Sequence, residues 1–185
     1  METTKVLKFW GKEQRNEIAA WYDGLPNVNT PPTAGFQTSI HQLVADSFNL
    51  ARRQFWCGFV DYDPYPTADH MRAYLRNNGG LLISTLYNNS DIMPGNVNLM
   101  FRFAHDIDHC MTEDCNFAFA GEVCAYSKFA ARAKQFGYST FMQQWLFTEI
   151  VGQAASRGTN GVFADQKFAF APKAWVFEVE KQYGY

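Results

Sequence analysis

Apolar residues recur at intervals of three and four positions along most of the chain, which is the spacing of one buried face of an α-helix. The clearest run extends from Phe36 to about Trp56. Similar runs predict further helices over 8–22, from a Thr67 cap to about Arg76, over 97–111, over 117–135, and from Ser139 or Thr140 to about Ser156. The pattern therefore predicts an all-α fold, a single-domain bundle of about six helices spanning residues 1–185.

Two stretches follow the helical spacing less clearly. Residues 81–86 form a short apolar run of ambiguous type. The tail, 159–185, alternates around 175–179 and fits either a short strand or a last helix. We expect the bundle to end in a short irregular or strand-like tail. Asn96 is expected to cap the central helix, and Gly79 and Gly137 to end the helices before them.

The composition predicts a substantial core. Apolar residues make up 47% of the chain and charged residues 18%, a balance that is not that of a disordered segment. The aromatic share of 17% indicates either a thick core or a pocket for an apolar or aromatic small molecule. Core packing is the more common of the two.

Charge and hydropathy limit the classes of partner that this chain is expected to bind. The formal net charge is −2 and the basic residues form no run, which argues against nucleic-acid binding. The first residues lack the apolar segment of a signal peptide, and no apolar run approaches the ~18 residues of a membrane span. We expect a cytoplasmic protein, with peripheral membrane contact through exposed aromatic side chains left open. The sequence leads to no prediction of whether the chain is a monomer or an oligomer.

The cysteines are Cys57, Cys110, Cys115 and Cys124, and they follow no C-x-x-C pattern. Without a secretory signal, we expect free thiols rather than disulfides. A structural zinc knot of cysteine and histidine would need paired close spacings, which this sequence lacks.

Candidate chemistry centres on the predicted central helix. His105 and His109 are two of only four histidines, and their i, i+4 spacing places them on one helix face. Asp106 lies about 100° around the helix from His105 and about 60° from His109, so it borders that face. Met100, Phe103 and Ile107 form an apolar stripe on the opposite side. Imidazole and carboxylate suit Zn²⁺ and similar divalent ions, so this face predicts a metal site.

Glu122 supports the same site independently. Its neighbours at helical spacing are all apolar or aromatic: Ala118, Phe119, Ala125, Tyr126 and Phe129. A carboxylate in such a face must be paired, protonated or bound to metal, because an unpaired buried charge costs several kcal/mol. The ion predicted at His105 and His109 is one partner. A salt bridge to Arg102, Lys128 or Arg132 is the alternative.

The histidine pair also fits two arrangements without a metal ion. The two rings could belong to a solvent-exposed polar face or to a metal-free polar network, and Asp108 could face the ligands or the solvent. His41 and His70 are single histidines of the kind that usually pack in a surface or core. No dinucleotide-binding, P-loop or serine-hydrolase motif occurs.

The segment from His105 to His109, followed by Gly121-Glu122, resembles the H-D-x-x-H…G-E signature of the coenzyme Q biosynthesis protein four family. The spacing before the glutamate is one residue longer here, and 66–75 resembles the family segment upstream of the signature. The resemblance implies a helical protein of ubiquinone synthesis with zinc bound by His105, Asp106, His109 and Glu122. It also implies a pocket for a prenylated quinone precursor, whose ring carboxylate is removed and whose ring carbon is hydroxylated.

Two other classes compete with this interpretation. The HD-domain phosphohydrolases, also all-α, bind metal through a histidine, a later His-Asp pair and a distant aspartate. His70, His105-Asp106 and Asp165 match those rough spacings. The hydrolase interpretation requires His70 and Asp165 at the metal, whereas the quinone-related one requires Glu122. The third class is a non-catalytic binding or assembly protein.

Overall fold

The computed structural model describes residues 10–28, 30–86, 88, 90–162 and 164–185, and every structural statement below refers to these residues. The chain is mainly helical, as the apolar spacing predicts. The helices are α1 (Lys12–Gly24), α2 (Ala34–Arg52), α3 (Ala68–Asn78), α4 (Gly95–Met111), α5 (Phe119–Gln135), α6 (Thr140–Phe147), α7 (Gln153–Asn160) and α8 (Lys173–Tyr183). A π-helical turn, Thr148–Gly152, joins α6 to α7. The strands are β1 (Trp56–Val60) and β2 (Gly80–Ser84).

The chain forms two compact units, which are described separately. The first unit comprises Met1–Thr30 and Ala118–Tyr185, and the second comprises Pro31–Phe117. The prediction of one domain over 1–185 stays a prediction. In the described ranges, no helix has both the length and the apolar character needed to cross a bilayer.

The first unit is a helical assembly built around α5. This helix packs against α6, α7 and α8, while α1 packs against α7 and the π-helical turn. Tyr22, Tyr126 and Trp145 are among its fully buried side chains. Gly152 lets the π-helical turn approach α1 closely, because a Cβ there would lie 2.6 Å from Cδ2 of Tyr22.

A buried lysine caps the C-terminal end of α1 in this unit. The ammonium of Lys167 donates to the carbonyl oxygens of Tyr22, Asp23 and Leu25 at 3.2, 3.0 and 2.9 Å. The last carbonyls of a helix have no partners within the helix and carry its negative dipole end. The lysine therefore satisfies the end of α1 with both hydrogen bonds and charge.

The second unit contains a β-α-β element. Strands β1 and β2 are parallel and in register from Trp56 opposite Gly80 to Val60 opposite Ser84, and α3 connects them. The unit's core lies among the strands, α3 and α4, and contains Phe103 and Ile107. Phe103 and Ile107 of the predicted apolar stripe are thus buried there, whereas Met100, the third residue of that stripe, is half-buried. Helix α2 packs against α4.

The two strands lie where the sequence predicts the end of a helix and a run of ambiguous type. The helix predicted to about Trp56 ends at Arg52, and Trp56 begins β1. The ambiguous run at 81–86 becomes β2. Both strands are five residues long and depend on each other for backbone hydrogen bonds, which helical spacing does not reveal. The prediction that Asn96 caps the central helix is wrong: Pro94 precedes the first turn, and its carbonyl accepts from the N–H groups of Val97 and Asn98.

The strand predicted for the tail is wrong, whereas the irregular prediction is confirmed for residues 164–172 and the helical alternative for the residues that follow. Residues 173–183 form α8, which starts after Pro172 and ends at Gly184 with φ of +71°. Val176 and Val179, three positions apart, are buried, whereas Phe177 is exposed. The alternating apolar letters suggest a strand because Phe177 is apolar without being buried. Thr67 caps α3 by accepting from the N–H of His70, and Gly79 and Gly137 follow α3 and α5 with positive φ, as predicted.

Candidate metal centre

Helix α4 places both predicted histidines on one face. Phe103 and Ile107 anchor the helix in the core, and the i, i+4 spacing then turns His105 and His109 away from it together. His105 is half-buried and His109 is buried. The alternative of a fully solvent-exposed histidine face is therefore wrong.

The backbone fixes the tautomer of His109. Its Nδ1 lies 2.8 Å from the carbonyl oxygen of Cys115. A carbonyl oxygen only accepts hydrogen bonds, so Nδ1 must carry a proton. In the neutral ring Nε2 then keeps its lone pair, which is the arrangement that metal-binding histidines usually have.

The two Nε2 atoms converge. They lie 3.1 Å apart, and the ring planes are inclined at 75°. Two nitrogens bound at Zn–N distances of about 2.0–2.1 Å in a tetrahedral site would be about 3.3 Å apart. The spacing of His105 and His109 fits two ligands of one small ion, and it is also that of a hydrogen bond between the two rings, as in the metal-free polar network.

Aromatic rings flank the pair. Phe101 stacks on His105 with 6.0 Å between ring centroids and 8° between planes. Phe117 meets His109 edge-on at 5.2 Å. Such apolar neighbours lower the local dielectric, which strengthens the interaction between a cation and its ligands.

Glu122 completes the candidate group. It lies in the first turn of α5, which follows α4 after a short connection, and it is half-buried. One ligand atom each of His105, His109 and Glu122 lies within 4.8 Å of the other two. This group could hold a metal ion. Among the described residues it is the one such group of three or more histidine, cysteine or acidic side chains.

The fourth predicted ligand, Asp106, does not belong to this group. Its negative charge contributes to raising the pKa values of Cys57, Tyr65 and Cys110. Burial, and secondarily this negative charge, raise the pKa of Cys110 to about 12. Burial raises the pKa of Cys57 to about 11 and that of Tyr65 to about 12, with Asp106 as a smaller cause in both. Its role as a metal ligand stays a prediction.

Asp108 lies on the same helix and is only 1% exposed. The alternative in which it faces the solvent is therefore wrong. Because Asp108 is buried on the helix that carries both histidines, the remaining alternative is that it supports the ligands, and this stays a hypothesis.

The prediction of four free thiols is half wrong. Cys57 and Cys110 are free, but Cys115 and Cys124 are disulfide-bonded. Spacing along the sequence shows which cysteines form recognised motifs, and it does not show which ones a fold brings within bonding distance. Sequence reasoning also misses Cys115 as the residue whose carbonyl orients His109, because a backbone acceptor has no residue-type signature.

The residues singled out for a phosphohydrolase lie elsewhere. His70 is exposed, and its Nδ1 is 2.8 Å from Oγ1 of Thr67 at the start of α3. Asp165 is exposed, and its carbonyl accepts from the Tyr22 hydroxyl at 2.9 Å. Neither belongs to the group of His105, His109 and Glu122.

Comparison with known proteins gives no relative: no family model, no curated protein and no solved structure matches this chain.

Proposed function

We propose that this protein binds one zinc ion through Nε2 of His105, Nε2 of His109 and a carboxylate oxygen of Glu122. The observation that carries the proposal is that His105, His109 and Glu122 each have one possible ligand atom within 4.8 Å of those of the other two. Two imidazoles and a carboxylate form a set that zinc accepts readily. The proton on Nδ1 of His109 places the lone pair of the neutral ring on Nε2, the atom that would coordinate.

The proposed ion has a catalytic rather than a purely structural character. Structural zinc sites usually have four protein ligands, whereas catalytic sites have three and leave one position to water or substrate. A zinc ion held by these three residues would polarise a bound oxygen and lower the pKa of bound water. The chain's own contribution is to orient His109 through the Cys115 carbonyl and to surround the imidazoles with Phe101 and Phe117.

The proposed ligand is an apolar molecule that carries an aromatic ring. The ring of Phe117 beside His109 supports this class, because it is 37% exposed and can offer a stacking or edge contact to another ring. The sequence resemblance to the coenzyme Q biosynthesis protein four family supports a prenylated quinone precursor within that class. That resemblance requires Glu122 as a ligand, whereas the phosphohydrolase alternative requires His70 and Asp165. The converging group contains Glu122 and therefore supports the resemblance.

The metal proposal is tested by elemental analysis of protein purified without added metal. We expect about one zinc per chain, reduced severalfold or more in His105→Ala and in Glu122→Ala because each removes one of three ligands. His41→Ala is the matched control, since it removes an imidazole outside the group. Full zinc occupancy in His105→Ala would exclude the proposed ligand set.

The ligand proposal needs a separate measurement. Mass spectrometry of small molecules extracted from the purified protein should find an aromatic lipid, and Phe117→Ala should reduce its amount while zinc content is maintained. Cleavage of a generic phosphodiester on addition of Mn²⁺, lost in His70→Ala, would instead favour the phosphohydrolase class.

A further inference from the structure

The outer edge of β1 has unused backbone groups. The N–H of Trp56 donates to Gly79 and the carbonyl of Val60 accepts from Thr85, so both point towards β2. Backbone groups alternate in direction along a strand, so those of Cys57 and Phe59 point to the opposite side. In the described part of the chain, no hydrogen bond engages them on that side.

The outer edge of β2 is different. The N–H of Leu82 donates to the hydroxyl of Tyr65 at 2.8 Å. A side chain thus occupies the edge of β2 at its centre. Since open strand edges readily pair with other strands, β1 is the edge of this sheet that is available.

Large apolar side chains are exposed along the same segment. Phe59 is 53% exposed, Tyr62 52% and Trp56 37%. The indole N–H of Trp56 donates to the Asn78 carbonyl at 2.6 Å, and the ring meets Tyr74 edge-on. The exposed indole is therefore held in place, and another surface can cover it with little loss of side-chain entropy.

The segment also has a charge polarity. Arg52 and Arg53 are exposed just before β1, and Asp61 and Asp63 are exposed just after it. In the described residues neither Arg53 nor Asp63 takes part in an ion pair. One end of the strand is basic and the other is acidic.

We propose that β1 pairs antiparallel with β1 of a second copy of this chain, about a two-fold axis at Gly58. In this register Cys57 of each chain lies opposite Phe59 of the other, and the two outward-pointing residues exchange both backbone hydrogen bonds. On the other face, Trp56 lies beside Val60 of the second copy, an aromatic and β-branched pair that stabilises antiparallel strands. The result is a four-stranded sheet in the order β2-β1-β1-β2.

The charge polarity selects this partner and this direction. Antiparallel pairing about Gly58 brings the arginine end of each strand to the aspartate end of the other. Parallel pairing would bring like charges together, which is unfavourable. A segment that is basic at one end and acidic at the other is complementary to an inverted copy of itself, as a two-fold interface requires.

Sedimentation velocity on the full chain over a wide concentration range tests the proposal. We expect the wild-type protein to form a dimer. Phe59→Asp should weaken the dimer by ~100-fold or more, because two carboxylates are then placed at the pairing edge. Phe141→Asp is the matched control: Phe141 is also 53% exposed but lies on α6, and its variant should stay dimeric. A monomeric wild type, or a dimer that survives Phe59→Asp, would overturn the proposal.

A charge-reversal cycle tests the direction of pairing and does not depend on how Phe59→Asp folds. Arg53 and Asp63 are both exposed, so variants at these positions should keep the wild-type circular dichroism. Arg53→Asp should weaken the dimer, and the double variant Arg53→Asp with Asp63→Arg should restore it. A double variant as weak as the single one would exclude the antiparallel arrangement. A wild type that stays monomeric while binding an extended peptide or a lipid vesicle would assign the edge to another partner.

Discussion

The two units share one means of holding their segments and differ in a second. In the first unit, side chains inside the fold donate to backbone carbonyls: Lys167 binds the end of α1, Tyr22 binds Asp165 and Gln144 binds Ala171. The second unit does the same through Arg102, which binds Ser84, but there two strands also pair backbone to backbone, and Gly80 lets β2 lie directly against Trp56 of β1. The first unit therefore depends on particular polar side chains, and the second depends in addition on the absence of a side chain at Gly80.

Gly80→Ala tests the second half of this comparison and should have the largest effect. A Cβ at this position would lie 2.3 Å from the carbonyl oxygen of Trp56 and 2.4 Å from its ring. Because the nearest atom is backbone, the strands must separate, and we expect a loss of roughly 3–5 kcal/mol in the free energy of unfolding. Urea titration measures it. Gly24→Ala, with no atom within 4 Å of its Cβ, should change stability by less than about 1 kcal/mol.

Lys167→Met tests the first half. The variant retains the apolar stem but leaves the carbonyls of Tyr22, Asp23 and Leu25 without the ammonium. Hydrogen bonds to a charged group contribute about 1.5–3 kcal/mol, and unsatisfied groups add a cost, so we expect a loss of about 2–4 kcal/mol. The exposed Lys12→Met is the control and should be close to neutral. Equal stability of the two variants would show that the carbonyls find other partners.

The smallest expected effect is the contribution of two buried thiols of the second unit to stability at alkaline pH. Burial raises the pKa of the Cys110 thiol from 9.0 to about 12 and that of Cys57 to about 11. Both thiols are neutral below pH 9 in either state. Above it the unfolded chain ionises first, so stability should fall as pH rises towards 11–12. Replacing both by serine should reduce this slope, which unfolding at several pH values measures, and an unchanged slope would contradict the assignment.

What can be predicted from the sequence depends on how local each feature is. Helix α2 follows from apolar spacing within one segment, and the pairing of His105 with His109 follows from the geometry of one helix. Glu122 follows from the cost of a carboxylate on an apolar face. Strand β1 could not be predicted, because its pairing depends on β2 more than twenty residues away. The carbonyl of Cys115 could not be predicted either, since any residue type supplies one.

The π-helical turn has a consequence for the first unit's tolerance of deletions. One turn of π-helix contains about one residue more than one turn of α-helix. Removing a single residue between Thr148 and Gly152 would therefore leave an α-helical turn, whereas the same deletion inside α5 would rotate everything beyond it by about 100°. Ser156, whose hydroxyl donates to Asp23 at 2.6 Å, would then still face α1. The π-helical turn is thus the position at which this helix best tolerates the loss of one residue.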